Sequence, residues 1–133
     1  MRSHLPGQLA LALGLAACGG APIKLINGPM APAATGGVTT EESNDGNLKM
    51  KIEVKHLASP ERYQPTAKVF VVWVERAGAT PQNVGALKVD KDLTGRLDTL
   101  TPLHRFTLAI TAEEDPATAI PKGPRVLSAA VER

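Results

Sequence analysis

Cysteine is nearly absent from this chain. Cys18 is the single one, so no internal disulfide can form and the fold must hold by packing alone. Aromatic side chains are almost as scarce, with Trp73, Tyr63, Phe70 and Phe106 making up the set. An excess of one charge is lacking too: the formal net charge is +2, and lysines and arginines are interspersed with acids. That excludes the electrostatic footprint of a nucleic-acid-binding protein. No apolar run reaches the roughly 20 residues that a transmembrane helix requires. After residue 18, apolar side chains nowhere recur at helical spacing, which argues against a helical bundle.

What is there begins with a short apolar run near Leu5, preceded by Arg2 and containing Gly7 and Gly14. A basic start, an apolar centre and small residues before a cut site make a secretory leader. Leu15-Ala16-Ala17-Cys18 closes the run and resembles the lipobox of bacterial lipoproteins. The resemblance implies cleavage before Cys18, acylation of its thiol, and a mature chain that starts there. An ordinary secretory leader also ends in small residues, but the only cysteine stands at the one position the lipobox needs. Two or more acyl chains, at about 0.8 kcal/mol per buried methylene, hold a protein to a membrane for good. Gly19 rather than Asp follows the cysteine, which implies delivery to the outer membrane where the host has two, and otherwise to the outer face of the cell membrane.

Residues 18–46 are rich in Gly, Pro, Ala and Thr, and the apolar side chains that could anchor to a core (Ile23, Leu25, Ile26 and Val38) follow no period. The composition predicts a disordered tether. Lys24-Leu25-Ile26 as an edge strand is the alternative, with Pro22 and Pro29 limiting its ladder. From Leu48 the pattern changes. Leu48, Met50, Ile52 and Val54 alternate with charged residues, the period of a strand with one face in water. Val69 to Val74 is apolar on both faces and β-branched, as in a central strand. A shorter strand is predicted around Val84–Val89, another over Arg96–Leu100, then Phe106–Ala112 and Val126–Val131. Asp90 to Gly95 reads as a hairpin connection with Gly95 free to take positive φ. The expectation is an all-β, antiparallel, immunoglobulin-like sandwich of about six or seven strands. The domain organisation is then a signal peptide over 1–17, a lipidated tether over 18–46 and the sandwich over 47–133.

Val71-Val72-Trp73-Val74, Asn83 to Leu87, Gly95 with Leu97, Phe106 to Glu113, and Pro121-Lys122-Gly123-Pro124 followed by Val126-Leu127 together resemble the extracytoplasmic domain of the anti-sigma-K factor family. The likeness runs from about Val69 to Val131. It implies an exported immunoglobulin-like sandwich and a link to envelope signalling. Members of that family carry a sigma-binding helical segment and a membrane-spanning helix before this domain, and neither pattern is found in this chain. Glu113-Glu114-Asp115-Pro116 also stands where the family has Glu-Pro followed by Gly. Sigma inhibition is therefore not carried over.

Candidate chemistry is thin. Asp90, Asp92 and Thr94 before Gly95 are spaced like the start of an EF-hand loop, but the twelfth position is Thr101 where a bidentate Glu is needed. His56 and His104 have no cysteine or carboxylate cluster beside them, so no zinc or copper site is expected. Ser128 lacks a Gly-x-Ser-x-Gly elbow, and Ser43 and Ser59 lie in loops without a base nearby in sequence. Glu113-Glu114-Asp115 reads as a solvated loop. Trp73 is either a core plug between the sheets or an exposed ligand platform, and the flanking valines favour the core. The expectation is a lipid-anchored, non-catalytic binding module without cofactor or metal, its partners membrane lipid through Cys18 and an envelope protein or cell-wall polymer. A small envelope enzyme with residues gathered from separate loops is the alternative.

Overall fold

The computed structural model describes residues 21–133, so the leader and Cys18 lie outside the described residues. Ten strands form: β1 (Ile23–Lys24), β2 (Ile26–Asn27), β3 (Thr35–Glu42), β4 (Leu48–Lys55), β5 (Val69–Glu75), β6 (Gln82–Ala86), β7 (Lys88–Val89), β8 (Gly95–Thr101), β9 (Arg105–Glu113) and β10 (Arg125–Glu132). A single 3₁₀ turn, Pro60–Arg62, is the one helical element among the described residues.

Two five-stranded sheets face each other. Sheet I runs β1-β3-β4-β8-β7 and sheet II runs β2-β10-β9-β5-β6, every pairing antiparallel. With β3, β4, β8 and β7 in the places of strands A, B, E and D, and β10, β9, β5 and β6 in those of G, F, C and C′, this is the immunoglobulin-like Greek key. The expected fold class holds. The core lies between the sheets, where Leu48, Met50, Ile52 and Val54 of β4 meet Phe70, Val72 and Val74 of β5 and Phe106, Leu108 and Ile110 of β9. The two predicted alternations, Leu48–Val54 and Phe106–Ile110, are thus the inward faces of two facing strands.

Both lateral seams of the sandwich are closed the same way. On one side the chain pairs with β3 at Ile23–Lys24, tucks Leu25 into the core, and pairs with β10 at Ile26–Asn27. On the other it leaves sheet II after Ala86, buries Leu87, and joins sheet I at Lys88–Val89. The single strand expected over Val84–Val89 is therefore two, because a buried leucine marks a change of sheet.

The expected tether is corrected by this arrangement, as is the strand count. Residues 35–42 pair with β4 over eight positions, from Thr35 opposite Lys55 to Glu42 opposite Leu48. Of its inward positions, Gly36, Val38 and Thr40, only Val38 is a large apolar side chain, so the strand shows no readable period. What holds it is the ladder to β4 and the seam leucine. A side chain on Gly36 would come within 2.5 Å of the Glu53 carbonyl and 3.1 Å of Leu25 Cδ1, so glycine there makes room for the plug. The sandwich therefore begins at about Ile23, not at residue 47.

Candidate functional site

The outer face of sheet I is mostly polar, with Leu100 of β8 as an exposed apolar exception. Across it, Lys24, Gly37, Glu53, Arg96 and Lys88 stand in register on all five strands. A neighbouring row carries Thr39, Lys51 and Asp98, and another Thr35 and Lys55. Side chains opposite one another on one face of a sheet lie within reach of each other. Gly37 leaves a notch in the first row beside Lys24, and Pro22 on one edge and Val89 and Asp90 on the other act as rims. The result is an open groove of about 940 Å³.

Charge in the groove is partly self-neutralised. Arg96 donates through Nε to Glu53 at 3.0 Å and through Nη1 to Asp90 at 2.9 Å. Lys51, Lys55 and Lys88 have no carboxylate within 4.0 Å among the described residues. Asp90 also accepts the backbone N–H groups of Asp92 at 2.8 Å and Thr94 at 3.1 Å. The Thr94 N–H, followed by the Arg96 guanidinium, holds its carboxyl below the ordinary value, and the same contact holds Arg96 above its own.

Those bonds settle the EF-hand-like spacing in favour of a hairpin turn, since the Asp90 carboxylate is occupied by its own turn and by Arg96. The left-handed residue of that turn is Leu93, at φ 61°, rather than Gly95 as expected. Gly95 serves packing instead: a Cβ there would meet Leu87 at 3.2 Å. His56 follows β4 at one end of the sandwich, while His104 precedes β9 at the other, 3.6 Å from Glu42. They do not converge. No group of three or more metal-ligating side chains gathers among the described residues. Ser43 bonds to Asp45 and to the Asn47 carbonyl in the β3–β4 turn, Ser59 precedes the 3₁₀ turn, and Ser128 sits mid-strand on β10. None of the three serines is hydrogen-bonded to a histidine among the described residues.

Trp73 takes neither expected place. It is fully buried, yet it packs with Val71 and Ala109 on the outer face of sheet II, apart from the core between the sheets. The stretch after β9 covers it. Asn83 on β6 donates to the carbonyls of Pro116 and Thr118 at 2.9 and 3.0 Å, so this segment crosses the whole of β5 before returning. Its return is fixed by Glu113, whose carboxylate accepts the N–H groups of Lys122 and Gly123, each at 3.0 Å. Glu113 is only 3 % exposed, so the solvated reading is corrected for that residue, which belongs to β9. Glu114 and Asp115 are exposed, as expected.

Sequence reasoning missed the sheet I groove. Lys49, Lys51, Glu53 and Lys55 could be read as one wet face, but the partners that complete the groove come from β3, β7 and β8 through register alone. No helix among the described residues is long and apolar enough to cross a membrane. The chain matches no protein-family model and no curated protein.

Proposed function

We propose that this protein is a cell-envelope lipoprotein, exported by residues 1–17 and acylated on Cys18, whose sandwich is a binding module and not an enzyme. Leu15-Ala16-Ala17-Cys18 supports the anchor. The observation that carries the binding reading is the groove across sheet I, in which polar side chains are displayed from paired strands. Strand positions hold such groups more rigidly than loops do. Threonines, unpaired lysines and a glycine notch suit an extended polar ligand, a peptide segment or a cell-wall glycan, better than a buried small molecule.

Lysine footprinting of the acylated protein in micelles, with and without cell-wall fragments, tests the groove. Lys51, Lys55 and Lys88 should lose reactivity toward an acetylating reagent when the ligand is added, while Lys68 and Lys91 keep theirs. Uniform reactivity with every envelope fraction would overturn the binding reading. Metabolic labelling with a fatty-acid analogue and intact-mass measurement test the anchor separately: Cys18→Ala should abolish label and block maturation.

A further inference from the structure

The anchor and the folded domain are separated by very little chain. Ile23 already pairs with Val38, and the carbonyl of Ala21 accepts from Arg133 Nη2 at 3.3 Å. From Cys18 to Ile23 is a span of five residue steps, about 17 Å when fully extended. The headgroup layer alone is about 5–8 Å thick on each side of a bilayer. The sandwich therefore stays within about one Debye length, roughly 8–10 Å, of the lipid surface.

We infer that the seam closed by residues 22–30 rests on the bilayer that holds Cys18, with Ile26 and Met30 seated among the headgroups. This rests on the lipoprotein reading above. Two observations point to that flank. It is where the chain leads toward the anchor. It carries exposed apolar side chains that the sandwich does not use, Ile26 at 66 % exposed on β2 and Met30 at 46 % in the turn that follows.

The mature chain has no free thiol once Cys18 is acylated, so single cysteines can be introduced and labelled cleanly. Ile26→Cys, Met30→Cys and Leu93→Cys each replace an exposed side chain. Leu93 lies in the turn between β7 and β8, on the edge of sheet I opposite β1. Each variant, acylated and carrying a polarity-sensitive dye, is placed in vesicles of phosphatidylethanolamine and phosphatidylglycerol. Dyes at 26 and 30 should shift to the blue and be quenched several-fold more by headgroup-nitroxide lipid than the dye at 93. Water-like emission at all three sites, on a chain whose mass confirms acylation, overturns this proposal alone. A blue shift at 26 that lipid nitroxides leave unquenched means that a second copy of the chain covers the flank, which also overturns it. A chain found without acyl groups on Cys18 overturns the lipoprotein reading, and the proposal with it.

Discussion

The indole N–H of Trp73 donates to the hydroxyl of Thr111 at 2.8 Å, beneath the segment that crosses the outer face of sheet II. That hydroxyl in turn donates to Glu113 Oε2 at 2.6 Å. Glu113 then receives the backbone of Lys122 and Gly123, so one chain of hydrogen bonds runs from the ring to the segment that covers it. A buried polar group without partners is costly, and here each member satisfies the next. The same residues explain why β5 is apolar on both sides although only one side faces the core.

Trp73 emission should accordingly be blue-shifted and poorly quenched by iodide. Trp73→Ala should cost roughly 3–5 kcal/mol, the range for deleting a buried large aromatic side chain. Thr111→Val strands the indole N–H and removes one of the three hydrogen bonds on Glu113 Oε2, which keeps those from Lys122 and Gly123, at about 1–3 kcal/mol. Urea denaturation of the single and double variants measures the coupling, and a near-neutral Thr111→Val would disconnect the ring from Glu113.

Gly123 admits no side chain. A Cβ there would stand 1.7 Å from the Ala112 carbonyl oxygen, a backbone atom that cannot swing aside. Gly123→Ala should detach the return of the covering segment, so that Trp73 emission moves to the red and iodide quenching rises. Gly78→Ala, whose Cβ would meet nothing within 4 Å though its φ is +77°, is the control for backbone strain alone.

A chain shortened to begin at Gly46 should fail to fold cooperatively. It loses Leu25 and Val38 from the core, each worth about 1.5–3 kcal/mol of burial, and it bares the long edge of β4. Against a total stability of about 5–15 kcal/mol, that loss is severe. Leu25→Ala in the full chain should cost about 2–5 kcal/mol. Thermal unfolding followed by circular dichroism checks both, and a melting temperature unchanged on shortening would mean that residues 21–45 add nothing to the fold.

The carboxyl of Asp90 should titrate below its ordinary value of 3.8, held there by the Thr94 N–H and Arg96. Since the folded value lies under the unfolded one, the unfolded chain takes up this proton first as pH falls. The turn's contribution to stability is therefore complete above the unfolded value and is lost as pH drops through the folded one. Carbon-detected NMR titration gives the midpoint, and Asp90→Asn should remove that part of the acid dependence. A midpoint at or above 3.8 would mean that Thr94 and Arg96 do not hold the carboxylate.

Much of the fold was legible along the chain, because strands with one wet face write their period into neighbouring residues. Leu48–Val54, Val69–Val74 and Phe106–Ala112 are strands where the pattern puts them, and the turn at Asp90 follows from its own side chain. β1, β2 and β3 were not legible. Their residues are mostly small or polar, and their conformation comes from partners far along the sequence: β3 from β4, Leu25 from the space that Gly36 leaves, Asn27 from Leu127 of β10.

By itself, the sequence determined the all-β class, the dependence on packing in a chain with no second cysteine, and the lipobox pattern at Cys18, since each is written in composition or in adjacent residues. Only the tertiary structure decided which face buries Trp73, where the sandwich begins, and that Lys24, Glu53, Arg96 and Lys88 share one row. Those are matters of register and crossing, where one residue's slip would move every side chain to the opposite face, and no local stretch carries that information.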